Sequence, residues 1–404
     1  MATTSFLYHT LGLRGYRHLH TEYENGSVFH HVELDPHKRR CRECDARWNH
    51  LTLDGTFERQ FRALPVGRRP QFVVLHGHEQ TCQQCGKTLR EPIDFAGGKR
   101  RCLKALECFV IDLCQFSTIY HVALLLAMGW DTVKEIYKGH LEKRLTKRTL
   151  TGVRYIAVDE FAIRKGHTYM TVVMDLEKGA ILYAAEGRDA QALVPFLRRL
   201  KKSRAKLEAV AMDMSQGYLN AVREVFPELA IVHDAYHVVA LANKAVDDTR
   251  RDLYRDLEAG ERKVIKGSRF LLLRGAERLD EEPKKRLEEL MAANEPLYTA
   301  YLLKEQLRMF WAMGNEETAT AVLNNWLAEA RTSGLKHFGR LAQTIEDHLP
   351  GLLAYFRHPI STGPLEGLNN KIKVLKRQAY GFRDMAYFKL RLFFIHEATP
   401  AFPG

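Results

Sequence analysis

The stretch that decides the fold is Arg154 to Glu186, RYIAVDEFAIRKGHTYMTVVMDLEKGAILYAAE. It holds three runs rich in β-branched and aromatic residues: Arg154 to Asp159, Thr168 to Asp175 and Ala180 to Glu186. The turn-forming pairs Lys165-Gly166 and Lys178-Gly179 separate them, which is the pattern of an antiparallel meander. Downstream the pattern alternates. A helix over Asp189 to Lys201 leads to a strand over Leu207 to Asp213. A helix over Gln216 to Val225 then leads to a strand over Leu229 to His233.

That element order, β-β-β-α-β-α-β, is the order of the RNase H-like fold. From Ala240 to about His348 Leu, Ala and Glu dominate, so the chain reads as continuous helices broken only at Gly and Pro. Pro364 to Arg377 is a further helix, and an aromatic-rich helical tail runs from Asp384 to His396. Upstream, residues 1–95 read as loop-rich, with short strand-like runs at Ser27 to Leu34 and Gln71 to Leu75. Three helices follow, Arg101 to Gln115, Ser117 to Met128 and Asp131 to Arg144, with Ser117 and Asp131 as N-caps.

A chain of 404 residues is too long for one ordinary core. Its 46% hydrophobic and 27% charged residues are those of a globular protein. The longest apolar run, Val122 to Met128, falls far short of the ~20 residues that span a bilayer. The N-terminus lacks the apolar core of a signal peptide, so a cytoplasmic location is expected. The net charge of +12 attracts polyanions and favours counterion release from nucleic acid, although many basic proteins bind none.

Four of the seven cysteines form two pairs, Cys41-x-x-Cys44 and Cys82-x-x-Cys85. Each tight turn presents two sulfurs, and two such turns complete the tetrahedron of a structural Zn2+; Gly86 suits the knuckle. Cys102, Cys108 and Cys114 fall at core spacing on helices. In the segment Ser117 to Arg144, Val122, Leu125 and Leu126 face a core with Val133 and Ile136. Lys134, Lys138, His140, Lys143 and Arg144 then decorate a candidate recognition helix, with a plain three-helix bundle as the alternative. The basic pair Lys147-Arg148 closes the region. The expected fold class is multidomain α/β (α+β). Residues 1–95 form a zinc-binding DNA-recognition domain and 96–150 a helix-turn-helix. Residues 151–243 begin the core, 244–350 form an all-helical insertion, and 351–404 are the core's final helices.

Asp159 and Asp213 each close an otherwise apolar strand, which packing explains poorly. On neighbouring strands two such carboxylates need a cation between them or a shared proton. Glu366 lies on the helix GPLEGLNNKIKVLKR. At ~100° per residue Glu366, Asn369, Asn370, Lys373 and Arg377 share one face, opposite Leu365, Leu368, Ile372 and Leu375. Three carboxylates suit Mg2+, but the residues alone leave solvated strand-end acids as an open reading. Glu160 and Asp175 are further candidates, Asp175 more as a turn residue.

The stretches IAVDEFAIRKGHTYMTVVMDLE, EGRDAQAL, VAMDMSQGY, IVHDAYHVV and GPLEGLNNKIKVLKRQAYGFRDMAYF resemble the ISL3-type insertion-sequence transposases, whose zinc domain the cysteine pairs also match. The resemblance implies an RNase H-like core with a D-D-E triad on Asp159, Asp213 and Glu366. Two Mg2+ ions, replaceable by Mn2+, would be held there. It implies cleavage by metal-activated water at terminal inverted repeats of double-stranded DNA, then attack of the freed 3′-hydroxyl on target DNA. It also implies a homodimer or higher assembly in a bacterial, nucleoid-associated setting. Asp234-x-x-His237 fits a supporting motif of related transposases with insertions. Trp326, or failing it Trp311, is the candidate to stack on an extruded base, against a plain core role. Asn370, Lys371, Lys373, Lys376, Arg377 and Arg383 are expected to contact phosphates; from Gly351 onward eight basic residues face three acidic. The rival readings are a non-catalytic DNA-binding regulator and a metal-dependent nuclease.

Overall fold

The computed structural model describes residues 2–97, 100–146, 149–164, 168–256, 265–275 and 279–395. The expected turn at Lys165-Gly166, the pair Lys147-Arg148 and the end of the tail at His396 lie outside them. No described helix is long and apolar enough to cross a membrane. The chain divides into two compact units, Met1–Lys147 with Gln378–Gly404, and Arg148–Arg377.

The first unit starts with α1 (Ala2–Leu11), then β1 (Tyr16–Glu24), β2 (Ser27–Leu34), β3 (Leu51–Val66), β4 (Arg69–Cys82) and β5 (Thr88–Arg90). The strands form one sheet in the order β1-β2-β4-β3, with β5 also on β4. The β2–β4 pair is parallel and the others antiparallel. The loop-rich expectation for this region is therefore corrected. Along LTLDGTFERQFRALPV only Phe61 and Ala63 are buried, and the apolar face they share with Leu51, Leu53 and Phe57 is interrupted by Gly55 and Arg59.

Next come α2 (Lys104–Phe116), α3 (Ile119–Leu126) and α4 (Trp130–Leu145). Phe61, Val73 and Leu75 of the sheet share one core with Leu106, Val110, Val122 and Val133 of these helices. Thr118, not Ser117, caps α3: its hydroxyl accepts the His121 N–H. Ala127, at φ 48°, ends α3 in the left-handed region. Gly129 occupies the cap position of α4, and Asp131 sits in its first turn, where a negative charge suits the helix dipole. The helix Met385–Phe393 brings Tyr387 and Leu390 into this same core, together with Phe394. That aromatic stripe places the tail in the first unit, although the sequence assigned it to the end of the catalytic core.

The second unit begins with β6 (Tyr155–Arg164), β7 (Thr168–Asp175) and β8 (Ala180–Glu186). Then follow α5 (Ala190–Lys202), β9 (Ala209–Met212), α6 (Gln216–Val225) and β10 (Ala230–His233). The sheet order is β10-β9-β6-β7-β8. β6, β7 and β8 form the antiparallel meander, and β9 and β10 add in parallel. This is the RNase H-like arrangement read from the sequence. Ile156, Val158 and Val173 pack under Leu193 and Phe196 of α5 and Val222 of α6.

A helical region follows: α7 (Ala235–Asp256), α8 (Arg269–Leu273), α9 (Glu281–Ala293), α10 (Glu295–Met309), α11 (Glu316–Thr332), α12 (Lys336–Asp347) and α13 (Leu349–Leu353). It has its own core around Val246, Leu303, Phe310, Leu323 and Phe338. Trp326 is 3% exposed within it and donates its indole N–H to the Leu303 carbonyl at 2.7 Å. Neither face of that ring is open, so the base-stacking role is withdrawn in favour of the core role. The unit closes on α14 (Gly363–Gln378), which buries Leu365, Leu368, Ile372 and Leu375 as its periodicity predicts.

Candidate active site and metal centre

Strand register brings the acids together. β6 and β9 pair in parallel with Tyr155 opposite Ala209, Ile156 opposite Val210 and Ala157 opposite Ala211. Continued by two residues, that register sets Asp159 level with Asp213, on strands about 4.8 Å apart. Alternation points both side chains to the face of Ala157 and Ala211. β9 and β10 end with Met212 opposite His233, so Asp234 comes next to Asp213 in the same row.

Asp159 Oδ1 accepts the Glu160 N–H at 2.8 Å, and its Oδ2 accepts Nδ2 of Asn369 at 2.9 Å. Asp213 Oδ1 accepts the Ser215 N–H at 3.0 Å. Burial pushes the Asp159 carboxyl above its ordinary range, and Asp213 adds to this; the Glu160 N–H, Asn369 and the nearby His237 oppose it. Glu160 is raised by burial and by the charges of Asp213 and Asp159, with a Tyr218 hydrogen bond in opposition. Asp175 behaves as a turn residue: it is buried, and its Oδ1 accepts the N–H groups of Glu177 and Lys178.

Glu366 occupies the first turn of α14 and is exposed. One turn on, along the same face, Asn369 touches Asp159, so the helix that carries Glu366 is bonded directly to the acid pair. The three carboxylates do not converge as a closed ligand set. Among the described residues, the groups whose donor atoms all lie within 4.8 Å are the four paired cysteines and His20, Glu22 and His31. Asn369 stands outside the expected site residues. Its signal was the helical spacing from Glu366.

Asp234 is 4% exposed and accepts the Thr362 N–H at 3.2 Å. The Thr362 carbonyl in turn accepts from Leu365 and Glu366, so Asp234 anchors the turn from which Glu366 projects. At the far end of α14, Lys376 donates to the Ala162 carbonyl on β6 at 2.8 Å. Lys373 bonds Asn370, and Lys371 and Arg377 are exposed on the same helix. In the first unit Lys134 and Lys138 both pair with Asp384, at 2.9 and 3.2 Å. Asp384 also caps its helix through the Tyr387 N–H, and these contacts hold its carboxyl well below the usual range. Arg144 lies 4.7 Å over the Phe394 ring, while Lys143 and Arg383 are exposed.

The two cysteine turns are near copies. Asp45 (φ 59°) donates to the Cys41 carbonyl, and Gly86 (φ 70°) donates to the Cys82 carbonyl. The turns interlock, with Cys41 and Cys85 sulfurs 3.6 Å apart and Cys44 and Cys82 sulfurs also 3.6 Å apart. A disulfide needs about 2.05 Å. Sulfurs bonded to zinc at about 2.3 Å in a tetrahedron lie about 3.8 Å apart, which these distances approach. Backbone N–H groups of Cys44 and Glu43 help lower the Cys41 thiol to about 7, while burial and the neighbouring sulfurs raise Cys44 and Cys85, so Cys41 is the sulfur poised to offer the thiolate a metal requires. The donor set fits zinc.

Comparison with known proteins follows the same line. A family profile described as "Transposase", the ISL3 type of the DDE group, matches residues 156–392. The chain is 36% identical to the transposase for insertion sequence element IS1001 of Bordetella parapertussis, over 90% of this chain and 89% of that protein. It is 29% identical to the transposase for insertion sequence element IS1557 of Mycobacterium tuberculosis, over 91% of this chain and 88% of that protein. A solved structure, the Drosophila P element transposase strand transfer complex, aligns with a TM-score of 0.43 at 10% identity. That alignment covers 73% of this chain and 92% of the other, a likeness too loose to bear weight.

Proposed function

The chain belongs to the ISL3 family of DDE transposases, enzymes of DNA cleavage and strand transfer, and from that premise we propose that Asp159, Asp213 and Glu366 are its catalytic carboxylates. The observation that carries this reading is the register that sets Asp159 level with Asp213, with Asn369 of the Glu366 helix bonded to Asp159. Half-buried acids at that spacing repel each other and call for a cation between them or a shared proton.

The oxygen donors suit two Mg2+ ions, with Mn2+ as substitute, which when bound activate the attacking oxygen and neutralise the leaving one. Asp159, Asp213 and Glu366 would hold them. Asn369 fixes the Asp159 rotamer by occupying one oxygen, and Glu160 adds negative charge to the same field. Asp234 orients the first turn of α14, and His237 offers a donor beside Asp159. Asn370, Lys371, Lys373 and Arg377 meet phosphates along α14. Lys376 contributes less, because it is already bonded to the Ala162 carbonyl.

In the first unit the cysteine knuckles hold a structural Zn2+, and α3 and α4 form the helix-turn-helix that reads terminal inverted repeats. Lys143, Arg144 and Arg383 supply charge there, while Lys134 and Lys138 hold Asp384. Two transposon ends must be joined in one reaction, so the working form is a homodimer or higher assembly. The test incubates the protein with labelled transposon-end DNA, a target plasmid and Mg2+. Joined products support this reading, cleavage alone marks a nuclease, and shifted but uncut DNA marks a regulator.

A further inference from the structure

The sheet of the first unit carries a second set of converging donors, far in sequence from the cysteines. A register irregularity between His18 and His20 sets His20 opposite His31 on neighbouring strands. The two imidazoles stack with centroids 4.2 Å apart and planes 12° from parallel. Glu22 reaches both: its Oε1 lies 3.1 Å from His20 Nε2, and its Oε2 lies 3.4 Å from His31 Nε2. For nitrogen and oxygen ligands bonded at 2.0–2.1 Å in a tetrahedron, neighbouring donors sit about 3.4 Å apart. Both histidine–glutamate distances stand near that spacing, and all three donor atoms lie within 4.8 Å of one another.

His31 Nε2 is the telling atom. It is buried, and no hydrogen bond satisfies it, although it faces a carboxylate oxygen. The other side of the ring is engaged: His31 Nδ1 lies 2.8 Å from His76 Nε2, and His76 Nδ1 lies 3.8 Å from Glu58 Oε2. With the proton on Nδ1 in both rings, His31 donates to His76 and His76 points its N–H at Glu58. That tautomer turns the His31 Nε2 lone pair toward Glu22. In that tautomer a lone pair faces a carboxylate in a buried position, an arrangement that a cation between them resolves. A hydrogen bond on the other ring nitrogen, here between His31 Nδ1 and His76 Nε2, is the usual support of a metal-bound imidazole.

We propose that His20, Glu22 and His31 bind a divalent transition-metal ion of the zinc class, separate from the cysteine site, which staples β1 to β2. Two imidazoles and one carboxylate select zinc, nickel or copper over magnesium. A fourth position stays open to water. His20 and Glu22 are exposed, so this ion exchanges with solvent more readily than one held by four thiolates.

The experiment loads the full-length protein with Zn2+ in a Mg2+ buffer, which keeps zinc off the core carboxylates, and counts zinc per chain after desalting. Wild type should carry about two ions, and His20→Ala about one fewer than wild type. His20 is an exposed side chain at a sheet edge, so that variant tests the site even where His31→Ala fails to fold. In a parallel Co2+ titration the thiolate charge-transfer band should be the same in wild type and His20→Ala. Zinc content unchanged in both His20→Ala and Glu22→Gln overturns the proposal.

Discussion

Replacing Asp234 by alanine tests how the site is held. Asp234 and Thr362 are 4% and 5% exposed, and the lost contact is a 3.2 Å bond from a backbone N–H to a carboxylate. A buried donor left without its acceptor costs about 1–3 kcal/mol, with charged acceptors toward the upper end. For a unit of this size each kcal/mol lowers the thermal midpoint by about 2–4 °C, so Asp234→Ala should lose roughly 5–10 °C. Activity should fall further than stability. The bond fixes the turn that carries Glu366, and displacing a reacting group by ~1 Å costs on the order of 100-fold. Asp234→Asn keeps a carbonyl acceptor in place and should recover most of both losses. Thermal unfolding and strand transfer would be measured on the two variants side by side. If asparagine proves as damaging as alanine in both assays, the backbone-anchor argument is refuted and Asp234 acts through its charge.

Four further expectations follow from the same geometry. Asp159→Ala, Asp213→Ala and Glu366→Ala should each lower cleavage on the order of 10³-fold, the several kcal/mol that metal-assisted charge stabilisation supplies; near-normal rates in any of them would remove that residue from the triad. Asp159 and Glu160 titrate above their ordinary values in the fold, so the folded chain binds more protons than the unfolded one in that window, and stability falls as pH rises through it. Mg2+ should offset this loss, raising the thermal midpoint strongly near neutral pH and little in mild acid; an equal rise at both contradicts the assignment. Cys82→Ser should release the zinc of the cysteine knuckles while Cys102→Ser keeps it, as read by metal analysis of the purified protein. Trp326→Phe should cost about 1–2 kcal/mol through its lost bond to Leu303 and leave DNA binding unchanged; weakened DNA binding at full stability would restore the stacking role.

The core was legible where its strands alternate between turn signals. Thr168–Asp175, Ala180–Glu186 and Gln216–Val225 fall where the sequence put them, and α5, β9 and β10 agree to within two residues; β6, read as ending at Asp159, runs on to Arg164, so Asp159 lies within its strand. The amphipathic face of α14 was equally plain. What the sequence could not convey is contact across distance: that Asn369 reaches Asp159, or that the bond of Asp234 goes to Thr362. Such contacts depend on register and helix docking, which local pattern does not encode. The sheet of the first unit was missed for a different reason. Most of β3 is only partly buried, and its inner face carries Gly55 and Arg59 between Leu53, Phe57 and Phe61, which breaks the apolar pattern that marks a strand. The cysteine centre was readable because a two-residue spacing constrains sulfur geometry directly.

The bond between Asp234 and Thr362 also bears on how such a protein can change over generations. It spans 128 positions of sequence, and the returning end of the helical region also packs on β10, through His348, Gly351 and Ala354. Closing a flexible excursion costs only about 0.6 kcal/mol more for each doubling of its length. The helices from α8 to α11 can therefore be lengthened, shortened or exchanged while α7, which carries His237, and α13, which packs on β10, keep their places. The length of that excursion is uncoupled from the strand register that aligns the acids.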